Sequence, residues 1–204
     1  MEMRPSARDA LHFALAQHNL DGRRLRSHPN ELGPQLQRVA ELELDTWIHH
    51  EIGEAREEVF EGYEWPEIVS SYPDSPIELF ARVIKDILAD SHAEGLLKHI
   101  VANRKSSSLG FYVVFMRPFT RLLAPEVLEA FQEFHQDGDW SMVEQARRKV
   151  YARAHSKAMV LINLHREGKQ RGNEWAKARI LAELIEPLGF LEALADDQDE
   201  SAAE

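Results

Sequence analysis

Three glutamates, Glu51, Glu54 and Glu58, recur at steps of three and four residues, with His50 beside the first. That spacing places side chains on one face of a helix, one turn apart. His50 precedes Glu54 by four residues, so both can reach a single ion. The stripe they continue is apolar, because Leu36, Ala40, Leu44 and Trp47 come before them in the same register. On this reading the glutamates face inward, where a carboxylate costs several kcal/mol unless it is paired, hydrogen-bonded or bound to a metal. A second seam through Ile48, Ile52, Ala55 and Val59 is the alternative, and it leaves the glutamates in water.

A later segment repeats the theme. Leu79, Val83, Ile87, Leu97 and Val101 share a face that Asp90 and Glu94 interrupt, with Asp86 one turn before Asp90. If the two helices pack antiparallel through these faces, several carboxylates converge. Oxygen-rich sites of that kind suit Mg2+ or Mn2+, with iron held by the same carboxylates and His50 as the alternative. The expected metal ligands are Glu51, Glu54, Asp86, Asp90 and His50, with Glu58 and Glu94 as base or outer ligand. Arg153 and Lys157 are expected to meet the phosphates of an anionic substrate.

Glu51-Ile52-Gly53-Glu54-Ala55-Arg56-Glu57-Glu58 resembles the E-[ILV]-G-E-x-x-E segment of the all-α NTP pyrophosphohydrolases, the MazG and dimeric dUTPase-like group. In that family one helix supplies E-x-x-E and a later helix E-x-x-D, which together hold Mg2+ that activates water against a nucleotide phosphate. Lys85 to Asp90 looks like the later segment, with Ile87 where the family has glutamate. The resemblance carries over Glu51, Glu54 and Asp90. Asp86 is assigned from spacing alone.

The surrounding sequence narrows the classes. With 24 basic and 35 acidic residues the net charge is −11, which argues against a dedicated nucleic-acid or anionic-membrane binder. No cysteine means no disulfide, zinc finger, iron–sulfur cluster or thiol nucleophile. There is no E-x-x-H of the ferritin-like kind, and His50 to Glu54 misses the zincin motif because Glu54 stands at the second histidine. Phosphate loops and the serine elbow are also missing. Charge is segregated: residues 31–94 carry 16 acidic and 4 basic groups, and residues 147–179 carry 10 basic and 2 acidic. Either the two regions complement each other at the surface, or carboxylates hold a cation where lysine and arginine clamp an anion. His165 shares a face with Leu161 and Leu164 and is expected to be a hydrogen-bonded core histidine. Lys157, on the stripe of Ala154 and Leu161, either reaches an acidic partner or bound anion or snorkels with its stem packed.

The elements that must position these groups are helical throughout. Apolar residues recur at helical spacing between glycine and proline breaks, which predicts helices over 7–19, 35–62, 75–103, 125–135, 141–168 and 173–187. Ser75, Pro76 and Glu78 form a start signal, and Ser141 with Glu144 a second one. Residues 109–116 are apolar on every side, as in a central buried helix. The expectation is an all-α bundle of six to eight helices, a single domain over 1–195, with a disordered acidic tail over 196–204. No secretory h-region begins the chain, and the longest apolar run falls far short of the roughly 20 residues of a membrane span. A cytoplasmic protein is expected, with no nucleic-acid or membrane partner. Its expected partners are a small anionic substrate or another protein, a homo-oligomer included. Three functions stand: a metal-dependent hydrolase of a phosphate-bearing, nucleotide-like small molecule, a non-enzymatic interaction domain, and a carboxylate/histidine redox-metal protein.

Overall fold

The computed structural model describes residues 7–20 and 29–189. Helices α1 (Ala7–Gln17) and α2 (Pro29–Arg56) come first. A 3-10 turn (Glu58–Phe60) leads to α3 (Glu64–Ser71), α4 (Pro76–Ser91) and α5 (Leu96–Asn103). Then follow α6 (Ser106–Phe115), α7 (Pro118–Leu123), α8 (Pro125–Asp137), the long α9 (Trp140–Arg171) and α10 (Asn173–Ile180). A π turn (Leu181–Ile185) and a 3-10 turn (Glu186–Leu188) close the described chain. The protein is all-α, and among the described residues no helix is long and apolar enough to cross a membrane. The acidic segment 196–204 lies outside the described residues.

Start signals explain most boundaries. The Ser75 hydroxyl accepts from the Glu78 amide at 3.3 Å, and Pro76 occupies the first turn, as expected of α4. At α9 the cap differs from the expected serine: Asp139 accepts from the Ser141 amide, and Glu144 turns to arginines instead. The segment expected as one helix over 75–103 is two. His92 leaves helical geometry and Gly95 restarts the chain as the N-cap of α5.

Helix α6 is the buried central helix that its composition implies. Ser108 to Val113 are all buried, with α1 along one side and α5 and α8 also in contact. The main core gathers Phe80, Ile84, Leu88, Leu109, Phe131, Val150 and Leu161 from α4, α6, α8 and α9. A smaller cluster of Ala14, Leu15, Val39 and Phe111 joins α1, α2 and α6.

Helix α2 corrects the expected stripe. Its inward face is Val39, Glu43, Thr46, His50, Gly53 and Glu57, stepping by four and three, while Leu36, Leu44 and Ile48 are about half exposed. The cause is Gly53. A Cβ there would stand 2.0 Å from the Ala89 carbonyl oxygen, so the missing side chain lets α2 and α4 touch backbone to backbone. That contact fixes the rotation of α2 and turns polar groups inward. Glu43 and Thr46 are satisfied there: buried Glu43 accepts from Ser107, Ser108 and His18, and Thr46 shares a hydrogen bond with Ser108 at 3.0 Å. Glu57, just past the end of α2, accepts from the Val59 amide through Oε1, while its buried Oε2 has no hydrogen-bond partner among the described residues.

Candidate functional site

The close approach of α2 to α4 brings His50 onto Asp90. The imidazole Nδ1 donates to Asp90 Oδ1 at 2.8 Å. Tyr112, buried in α6, also donates its hydroxyl to Asp90, and burial with this carboxylate beside it pushes the phenol well above its usual range. Asp90 is thus a buried carboxylate with two donors, one of them charged, as burial demands. The Asp90 hydrogen bond raises the His50 pKa to about 9, with Asp86 and Glu51 adding to the effect against desolvation. At neutral pH the ring is a cation.

These groups line a cleft of about 310 Å³. Its other lining residues are Trp47, Glu51, Asp86, Phe115, Met116, Arg117 and Thr120. Trp47 and Phe115 meet edge to face at 5.8 Å and form an apolar wall. Arg117 stands at the break between α6 and α7, where Pro118 starts a new helix. Among the described residues no hydrogen bond reaches the Asp86 carboxylate. Burial, and then the charge of Asp90, raise its pKa, with His50 and Arg117 acting in the opposite sense. A half-buried carboxylate without a donor, facing an opening, has both oxygens free for a ligand.

Of the expected site residues, His50, Glu51, Asp86 and Asp90 come together in this cleft. Glu54 does not: one residue past Gly53, it meets Lys85 at 2.6 Å instead. Glu58 sits in the exposed 3-10 turn, and Glu94 is an exposed residue 4.0 Å from Arg56. Arg153 is no free phosphate clamp. Both its Nη atoms bind Glu126 at 2.6 Å, and Nη2 also donates to the Leu123 carbonyl. Lys157 is half-buried, its pKa lowered by burial and then by Arg153, as fits a lysine whose stem packs against α9's neighbours. Among the described residues no group of three His, Asp or Glu side chains is arranged to hold a metal. His50 Nδ1 is committed to Asp90, so the carboxylate orients the ring and leaves Nε2 as its other nitrogen. With its pKa raised to about 9, the ring holds a proton that a metal would have to displace.

The segregated charges partly pair across the fold. Arg166 binds Glu64 through two bonds of 2.7 Å, and Lys169 binds Glu67 at 2.6 Å, joining α9 to α3. His165 is buried beside Tyr72, its pKa lowered by desolvation, so it is the core residue expected. Its Nε2, however, stands 3.7 Å from Glu67 and lacks the expected hydrogen bond among the described residues.

Sequence reasoning missed Tyr112, Arg117, Thr120 and the aromatic wall. The signal for Tyr112 was available, because it carries the one side-chain hydroxyl in the apolar run 109–116. Arg117 directly follows the same run, and nothing in its local sequence marks it as part of a site.

An all-α fold with a cleft lined from α2, α4, α6 and α7 defines the class. More particularly, residues 1–183 match the family of unknown function DUF6866, C-terminal domain, and the chain belongs to that family. No curated protein and no solved structure matches it.

Proposed function

We propose that the cleft is the active site of a hydrolase for a small, phosphate-bearing molecule. One observation carries this reading: a charged imidazole, an arginine and an undonated carboxylate, drawn from separate segments, line one opening. Arg117 offers a planar fork of donors matched to phosphate oxygens, and Thr120 adds a hydroxyl. His50, charged at neutral pH and oriented by Asp90, is a proton donor to a leaving oxygen. Asp86 is the carboxylate left to orient a water. The Trp47–Phe115 wall presents an aromatic face against which a planar base packs.

Glu51 and Asp86 are the carboxylates available to Mg2+ or Mn2+. Two suffice for a cation that enters with its substrate, since Mg2+ keeps several waters and commonly rests on one or two carboxylates plus phosphate. Bound there, the cation would supply charge neutralisation for the phosphate.

The test is phosphate release from a panel of nucleotides and sugar phosphates, with Mg2+, Mn2+ or EDTA. Turnover of at least one substrate is expected with metal, lost in Asp86→Asn and reduced roughly a hundredfold or more in His50→Gln. No turnover across the panel, or turnover that both variants retain, ends the reading.

A further inference from the structure

The outward face of α2 is apolar, and nothing in the described fold covers it. Leu36, Ala40, Leu44 and Ile48 follow at every fourth residue, all exposed, with the three leucine and isoleucine side chains about half accessible. Phe115, 63 % exposed, lies beside Trp47 at the end of this stripe. A continuous apolar stripe of this length on a charged helix marks an interaction surface.

We propose that this face binds the same face of a second copy, as an antiparallel pair of α2 helices about a two-fold axis near residue 42. The spacing is self-complementary. With that axis, Leu36 of one copy meets Ile48 of the other, and Ala40 meets Leu44, so every apolar residue finds an apolar partner. Charge selects this register over its neighbours. Glu51 continues the stripe beyond Ile48, and sliding the axis to between residues 43 and 44 would set Glu51 against Leu36. In the register centred near 42, Glu51 falls outside the apolar overlap, opposite Gly33 of the second copy. The interface also borders the cleft. Gln37 of the second copy comes opposite Trp47, which lines the opening, so each copy's α2 edges the other's cleft mouth.

The test of the dimer reads association alone and requires no ligand in the cleft. A helix pair with an aromatic rim is smaller than a standard interface of roughly 800 Å² per partner, so micromolar affinity is expected. Sedimentation velocity across roughly 1–100 µM should show a monomer–dimer equilibrium. Leu44→Glu and Ile48→Glu should abolish it with unchanged circular dichroism. Leu42→Glu should leave it intact, because Leu42 is equally exposed but lies on the opposite side of the same helix.

The absence of native cysteine permits a register test. Leu36→Cys mixed with Ile48→Cys should oxidise to a cross-linked heterodimer. Each alone should not, since two copies of position 36 stand about 18 Å apart along an antiparallel pair. A monomer throughout that concentration range overturns the proposal. So do a dimer disrupted by Leu42→Glu but not by Leu44→Glu, cross-linking of Leu36→Cys to itself, and a monomeric chain that engages a different protein through this face.

Discussion

His50 and Asp90, forty residues apart, form a charged hydrogen bond of 2.8 Å between α2 and α4. Because the folded pKa of His50 is raised to about 9, the sign of its pH dependence is fixed. Its contribution to stability is complete below the ordinary histidine value of 6.5 and is lost as pH rises through about 9. The melting temperature should fall over that window. Asp90→Asn should flatten the slope and bring the His50 NMR titration back toward its ordinary range. A His50 midpoint below 7 in the native protein would contradict the geometry.

Asp86 separates function from stability. It is half-buried and receives no hydrogen bond from the described residues, so its charge opposes folding and its value rests on what it binds. Asp86→Asn should leave the melting temperature unchanged or raised, while abolishing any turnover. Asp90→Asn should lower it, because Tyr112 and His50 both lose a charged acceptor. Paired thermal melts of the two variants decide this, and equal destabilisation would make Asp86 another structural carboxylate.

How far the sequence reaches is clearest in α2. Helical spacing was enough for the helix itself, for the buried α6 and for the start of α4. The face of α2 was not legible from hydrophobicity, because its inward stripe contains buried Glu43 and Thr46 and half-buried His50. Glu43, Thr46 and His50 find their partners far along the chain, in Ser107, Ser108 and Asp90. The local clue was Gly53, set in a run of good helix formers. Read as a point of close backbone approach, it places His50 inward and Leu44 outward. Asp86 and Asp90 were recognisable as a pair one turn apart. Arg117 was not, because its role depends on where the chain breaks at Pro118.

Gly53 gives a direct test of that geometry. Its absent Cβ would stand 2.0 Å from the Ala89 oxygen and 2.9 Å from the Ala89 carbonyl carbon, both backbone atoms that cannot swing aside. Gly53→Ala should therefore cost about 1–3 kcal/mol in urea denaturation, against the usual gain from placing alanine in a helix. It should also move His50 off Asp90 and lower the His50 titration midpoint. Gly33→Ala, in the same helix with no neighbouring atom within 4 Å, should lack that steric cost.

Glu144, on α9, holds the arginine that anchors the C-terminal end of α4. It accepts two bonds of 2.9 Å from Arg147 and one of 2.7 Å from Arg148, which lower its pKa to about 2. Arg147, buried, spends its remaining Nη1 on the Ser91 carbonyl at 2.6 Å, one residue beyond Asp90. The folded pKa is depressed, so this contribution is present above the ordinary glutamate value of 4.5 and is lost as pH falls through about 2. Glu144→Gln should make acid unfolding shallower over that range while lowering stability at neutral pH. Arg147→Met leaves the Glu144 carboxylate short of its main partner and the Ser91 carbonyl without its arginine donor. It should cost about 3 kcal/mol. Because Ser91 follows Asp90 directly, that variant should also weaken the His50–Asp90 bond. A His50 titration unaltered by Arg147→Met would show that α4 holds Asp90 without help from α9.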